Sequence, residues 1–266
     1  MIEIHPTACV DPAAELGDGV TVGPYAVIEA GTAVGEGSYV ANHVTISSGV
    51  TMGRENRVYP GAVIGGPPQD LKFRGEPTRV TIGDGNIFRE AVTVNRGTVQ
   101  GGGETVVGNH SFFMACCHVA HDCRVGNDAV MSNGVLLAGH VEVQDRAYLC
   151  GLAAAHQFTT IGQNAYVGGM TRIVHDVPPF MITEGNPQKV RGVNVVGLRR
   201  ANYGEETVEA LTEAYRIIWR NKSPYRKALA EVEELAAEYP EVHQLVEFLK
   251  AMDNGIKGRA REVHHS

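Results

Sequence analysis

Residues 16–53 read LGDGVTVGPYAVIEAGTAVGEGSYVANHVTISSGVTMG, and their spacing decides the fold. Counting by sixes from Leu16, every position is aliphatic or methionine: Val22, Ile28, Val34, Val40, Ile46 and Met52. The series reaches back to Val10 and Ile4 and forward to Val58 and Ile64, and the next residue is often glycine (Gly17, Gly23, Gly35, Gly53, Gly65). It resumes at Ile82, Phe88 and Val94. One extra residue enters near the glycines at 101–103, and a second series then runs from Val107 through Phe113, Val119, Val125, Met131, Leu137, Val143 and Leu149 to Ile173, weak only at Ala155. A period of six is neither the 3.6 of a helix nor the 2 of a strand; it fits a short strand and a corner, repeated. Three such units close a triangular coil of 18 residues. Stacked coils make a parallel β-solenoid, in which each inward aliphatic residue is buried against its neighbours about 4.8 Å above and below. A chain of amphipathic helices is excluded, because Gly, Pro and β-branched residues are too dense here.

Composition agrees with thin, repetitive coils. Of 266 residues, 43% are hydrophobic but only 6% aromatic, and 32 are glycine, which argues against an aromatic-filled core. The length suits one large domain and a smaller one. A net charge of −7 gives no nucleic-acid footprint over the whole chain. The opening MIEIHPTACVDP has neither a basic region nor an apolar stretch of the secretory kind, and no run of 18 apolar residues predicts a membrane span. The five cysteines (Cys9, Cys116, Cys117, Cys123, Cys150) are odd in number and form no paired CxxC. Neither a disulfide framework nor a structural zinc site is expected, and a reducing cytoplasm is the simpler location.

Two segments break the period. GGPPQDLKFRGEPTR replaces the hexads between Ile64 and Ile82, an 18-residue gap equal to one coil. Its prolines cannot feed a regular ladder, so 66–80 is expected to project as a loop carrying Asp70, Lys72 and Arg74. QGGGE at 100–104 reads as a tight backbone excursion. Past about residue 190 the period is lost, which sets a solenoid at 1–190 and an α-helical domain at 191–266. Helical spacing begins at 205 with Val208, Leu211, Tyr215, Ile218 and Trp219, and two more helices are expected near 224–238 and 241–252, before a frayed end. Lys189, Arg191, Arg199, Arg200, Arg216, Arg220, Lys222, Arg226 and Lys227 crowd into this part of an acidic chain, as a solvated face or as a docking patch for an acidic partner.

The 18-residue coil also places the histidines. Residues 118–122 stack under 136–140, and these under 154–158, so one arc of three coils holds His118, His121, Asp122, Gly139, His140, His156 and Gln157. Three coils span only about 10 Å. Such an arc suits an active site; histidines also bind metals, as between the subunits of γ-class carbonic anhydrases, but no metal is expected here.

The hexad pattern over roughly 1–185 resembles the hexapeptide-repeat transferases, which implies a left-handed β-helix. The fuller resemblance is to the UDP-N-acetylglucosamine acyltransferases of lipid A synthesis. It rests on QDLKF at 69–73, EPTRV at 76–80, RGTVQGGG at 96–103, HVAHDC at 118–123, LAGHV at 137–141 and AAHQF at 154–158. VGG at 167–169, DVPP at 176–179 and GVNVVGLRR at 192–200 extend it into the helical part.

The resemblance implies transfer of a 3-hydroxyacyl group from acyl carrier protein to the 3-hydroxyl of UDP-N-acetylglucosamine. The carrier's phosphopantetheine thioester is the donor, and no cofactor is implied. It implies His121 as general base, Asp122 as the carboxylate orienting it, and the backbone N–H of Gly139 facing the oxyanion, with no acyl-enzyme on a cysteine. Asp70 and Lys72 would reach the sugar nucleotide or acyl hydroxyl from the loop of a neighbouring subunit in a homotrimer. His118, His140, His156 and Gln157 would position sugar, acyl chain and uridine. Asn194 and Arg200 would contact nucleotide phosphates or the pantetheine side. Gly169, beside Gly168 and Met170, would set acyl length, its small size leaving room for a chain of about myristoyl length. The family usually has a carboxylate where this chain has Val196, which leaves open an amino-substituted sugar acceptor. An N-acyltransferase of the same pathway would carry an extra N-terminal domain. A metal-dependent hydratase would need a bound ion, and a non-catalytic scaffold would have no use for a base–carboxylate pair.

Overall fold

The computed structural model describes residues 1–221 and 223–255. Lys222 and the final stretch 256–266, read above as frayed, lie outside them. Strands of mostly two residues each alternate with turns from Glu3–Ile4 onward and stack into three sheets of 11, 9 and 8 strands. Pairing is parallel and in the 18-residue register over most of the length, as in Val22↔Val40, Ile28↔Ile46 and Val119↔Leu137. The second residue of each two-residue strand points inward and is buried from Val22 onward. Full burial of one such aliphatic side chain contributes about 1.5–3 kcal/mol. The widest inward residues, Phe88 and Phe113, stack in parallel with centroids 4.8 Å apart.

The two interruptions differ from their expected sizes. Met52 pairs with Ile82, so that coil is twelve residues longer than the norm. The segment between Ile64 and Ile82 is therefore one side of a coil plus a twelve-residue projection, not a full coil. Ile82 pairs with Val107, which makes the second excursion seven residues, not one. Counting by sixes cannot register an insertion of twelve, and it reports seven as one. Both interruptions leave the nine-stranded sheet, after Val63–Gly66 and after Thr93–Asn95, and enter the eight-stranded one at Arg79–Ile82 and Glu104–Val107. They lie on successive coils at one edge of the prism, and the next coils place residues 121–122, 139–140 and 157–158 at that edge.

The solenoid ends in an antiparallel pair, Met181–Glu184 with Lys189–Val193. The division drawn at 190 and 191 thus falls inside a strand. Among the described residues four α-helices follow: α1 (Val195–Arg200), α2 (Glu205–Tyr215), α3 (Tyr225–Ala236) and α4 (Pro240–Asp253). The short α1 was not anticipated; the Asn194 side chain caps it by accepting from the Gly197 N–H at 3.1 Å. A π-helical turn, Arg216–Arg220, extends α2, and Pro240 opens α4 at a position where its missing N–H costs nothing. Leu211, Ala214, Val232, Leu245 and Val246 pack with Phe180 and Met181 into a second core.

Candidate active site

His121 and Asp122 occupy the corner that follows the strand His118–Val119. Asp122 has φ 60°, the left-handed conformation of the coil corners that His140 and Phe158 share on the next two coils. Its side chain is buried at 1% exposure, and its Oδ2 lies 2.8 Å from His121 Nδ1. The Thr98 N–H donates to Oδ1 at 2.8 Å and the Thr98 hydroxyl to Oδ2 at 2.6 Å. The Thr105 hydroxyl accepts the Asp122 N–H at 2.8 Å. Burial would raise the Asp122 carboxyl, but the bonds from His121 and from both Thr98 donors, with the nearby His140, outweigh it and hold the carboxyl below its usual range. Asp122 is therefore an anion at neutral pH, and an imidazole that donates its Nδ1–H to this anion leaves Nε2 as its acceptor nitrogen.

Gly139 lies one coil above His121. A Cβ placed there would sit 2.5 Å from His121 Cε1 and 2.8 Å from Nε2, so only glycine leaves room for the ring. His140 meets His121 edge-on at 5.3 Å and stacks on Phe158 at 4.4 Å, and its Nε2 is 3.6 Å from Asp122 Oδ2. A cavity of about 560 Å³ opens at this edge, lined by His121, His140, Gln157, Phe158, Thr98 and Gln100. Gln69, Asp70, Leu71 and Lys72 of the projecting loop close its other side. Asp70 and Lys72, expected to reach a site from a neighbouring subunit, face the cavity of their own chain in the single copy, because the loop springs from the same edge two coils below His121. The Asp70 carboxylate accepts the Lys72 N–H at 2.9 Å, which turns the loop tip.

Other expected residues lie elsewhere. His118 does not line the cavity; it contacts the Thr93 hydroxyl at 2.7 Å, and burial, with the His121 charge second, lowers its pKa. His156 is likewise outside the lining, its Nδ1 3.2 Å from the Gln157 carbonyl. Asn194 and Arg200 line a second cavity of about 590 Å³ with Tyr148, Tyr166 and Val196. The Asn194 side chain is committed to structure, since its amide donates to the Asn164 carbonyl at 2.9 Å while its oxygen caps α1. Gly169 and Met170 occupy the edge between the 11- and 9-stranded sheets, away from His121. Burial pushes the Cys117 thiol up to about 11 and Cys123 to about 12, so neither is a thiolate nucleophile. Donor atoms of His121, Asp122 and His140 lie within 4.8 Å of one another. Both Asp122 oxygens, however, already accept hydrogen bonds, so a metal there would have to break the His121 pair. Thr98, Gly101 and Phe158 escaped the reading; all three lie inside quoted motifs, but only the fold carries Thr98 and Gly101 beside Asp122.

Known proteins resemble this chain over nearly its whole length. The family model described as UDP N-acetylglucosamine O-acyltransferase, domain 2, matches residues 176–257, and that of the bacterial transferase hexapeptide (six repeats) matches 13–48. A relative from Alkalilimnicola ehrlichii named acyl-(acyl-carrier-protein)–UDP-N-acetylglucosamine O-acyltransferase is 53% identical, over 96% of this chain and 99% of its own. One of the same name from Pseudomonas putida is 46% identical over 98% of this chain and all of its own. The crystal structure of a UDP-N-acetylglucosamine acyltransferase from Bacteroides fragilis superimposes with a TM-score of 0.90 at 36% identity, covering 93% of this chain and 96% of that one. The solenoid is accordingly the left-handed parallel β-helix that the repeat implied. Near-full-length identity of this size, on top of the shared fold, makes the chain a member of the acyl-(acyl-carrier-protein)–UDP-N-acetylglucosamine O-acyltransferase family.

Proposed function

We propose that this chain moves a 3-hydroxyacyl group from acyl carrier protein to the 3-hydroxyl of UDP-N-acetylglucosamine, the first step of lipid A biosynthesis. The observation that carries the mechanism is the His121–Asp122 pair, 2.8 Å apart and facing a cavity shared with Asp70 and Lys72. His121 Nε2 takes the proton of the sugar hydroxyl as its oxygen attacks the thioester carbonyl. Asp122 stabilises the imidazolium, and the Gly139 N–H faces the oxyanion. Collapse breaks the C–S bond, and the proton on His121 passes to the departing thiolate. The thioester is already activated, so the transfer needs no cofactor beyond its two substrates.

Gln157, His140 and the loop residues Asp70 and Lys72 hold the sugar and the acyl hydroxyl. His118 and His156 act behind them, through the ring and backbone positions they fix. Arg200, at the second cavity, serves the nucleotide or pantetheine phosphates, while Gly169 and Met170 bound the acyl chain. These residues lie on different edges of one prism, so a single cleft can use them all only if a second copy brings its edge to the first. That requirement, and the exposed apolar side chains Leu136, Leu152 and Met170, support a homotrimer. No helix among the described residues is long and apolar enough to cross a membrane, and all five cysteines are free, which suits the cytoplasm.

The test is transfer of acyl groups of several lengths from acyl carrier protein to UDP-N-acetylglucosamine by the wild type and His121→Ala. The variant is expected to lose about 10²–10⁴-fold in kcat, the usual contribution of a general base. Undiminished activity would sink the mechanism. Val196, in the second cavity, leaves open one other acceptor, the 3-amino analogue of the sugar, and the same assay run with it decides between the two.

A further inference from the structure

The seven-residue excursion at 97–103 has no counterpart in the regular coils, and its hydrogen bonds converge on Thr98. The Gly103 N–H donates to the Thr98 carbonyl at 2.7 Å. The Gly101 N–H lies 3.1 Å from both the carbonyl and the hydroxyl oxygen of Thr98. A hydroxyl that accepts from Gly101 has its own proton left for Asp122 Oδ2, 2.6 Å away. The Thr98 N–H takes the other carboxylate oxygen at 2.8 Å. Thr98 is only 2% exposed, and a side chain at Gly101 would collide with the Asp122 carboxylate. The excursion thus closes over Asp122 from below, as Gly139 closes over His121 from above.

We infer that Thr98 is a positioning residue of the transfer reaction, and that the 97–103 excursion exists to deliver its two donors to Asp122. This rests on the proposed role of His121. Two donors from one residue fix the carboxylate plane, so Oδ2 has one direction in which to receive His121 Nδ1. They also set the charge that Asp122 offers. Charge-assisted bonds of this kind are about twice as strong as neutral ones. A carboxylate stripped of one donor is more basic: it keeps its own proton to higher pH and holds the imidazolium more tightly. Both effects move the acid limb of kcat towards higher pH. The other titratable groups at this point are His140 above, His118 on the preceding strand, the buried Cys123 thiol, and Asp70 and Lys72 across the cavity.

The experiment compares full-length wild type, Thr98→Val and Thr98→Ser in two readouts. One is kcat and KM of acyl transfer against pH; the other is the ¹³C titration of the Asp122 side-chain carboxyl, which needs no activity. Thr98→Val keeps the shape and the backbone N–H but loses the hydroxyl. It is expected to lower kcat about tenfold, a fraction of the base's own contribution, with KM within about twofold. Its acid limb and its Asp122 titration should both move to higher pH, and Thr98→Ser should return both towards wild type. An unmoved limb and titration in Thr98→Val overturn the inference, as does a loss of kcat that Ser does not restore. Wild-type protein that transfers no acyl group would sink the proposed function instead, and the carboxyl titration would still decide whether Thr98 tunes Asp122. Should Thr98→Val fail to fold, Gly101→Ala, which crowds the same carboxylate, gives the second reading: its titration must also depart from wild type.

Discussion

At the scale of single residues, the site is a set of close approaches that only small or precisely donating groups permit. Gly139 is the sharpest case. The family resemblance assigns it a backbone donor, and the structure adds that its missing side chain is where the His121 ring lies. Gly139→Ala keeps the N–H but must displace the imidazole. A misplacement of about 1 Å typically costs about 100-fold in rate, so kcat is expected to fall by roughly that factor with an unchanged melting temperature. Activity within twofold of wild type would mean that the ring has another place to go. Asp122 illustrates a different limit. Its adjacency to His121 was plain in HVAHDC, but the two Thr98 donors that join His121 in holding it ionised lie 24 positions away in sequence.

At the scale of elements, each coil is a hexad triplet whose inward side chains fill one layer. The layer of Phe88 and Phe113 is the widest and lies on the coils that carry the loop and the excursion. Truncating Phe113 to Ala removes most of one ring from a fully buried stack, which typically costs about 3–5 kcal/mol. Chemical denaturation followed by circular dichroism should show that loss as a lowered midpoint; an unchanged midpoint would mean that neighbouring coils close the gap. The hexads were legible because one aliphatic face per six residues leaves a periodic trace. The lengths of the interruptions were not, because counting by sixes returns only the remainder. The helix α1 was missed for a related reason: six residues are too few for a helical period to emerge.

At the scale of the whole molecule, the residues assigned to one reaction are spread over three edges of the prism. His121 and the loop share one edge, Gly169 and Met170 a second, and Asn164, Asn194 and Arg200 border a third. A shared cleft between copies predicts complementation. His121→Ala and Arg200→Ala should each be nearly inactive alone. In the proposed homotrimer, co-assembly of equal amounts of the two should recover about a quarter of wild-type activity, because that fraction of clefts would pair an intact His121 with an intact Arg200 from the neighbour. No recovery would place both residues of a working site on one chain. The basic residues near the helices are a weaker patch than their number suggests, since Arg191, Arg199 and Arg216 are spent on Glu184, Glu205 and Glu213.

What the amino-acid order determined by itself was the solenoid, its coil length, and the column that gathers His121, Asp122, Gly139, His140 and Gln157. All of these follow from one fixed period, and a period is a local property that survives without knowledge of distant contacts. The tertiary structure decided which members of the column face the cavity, that the chain's own loop closes it, and that Thr98 and Gly101 complete the carboxylate's cage. Those depend on where two irregular segments return to the surface, which is set by packing between coils and leaves no periodic trace in the chain.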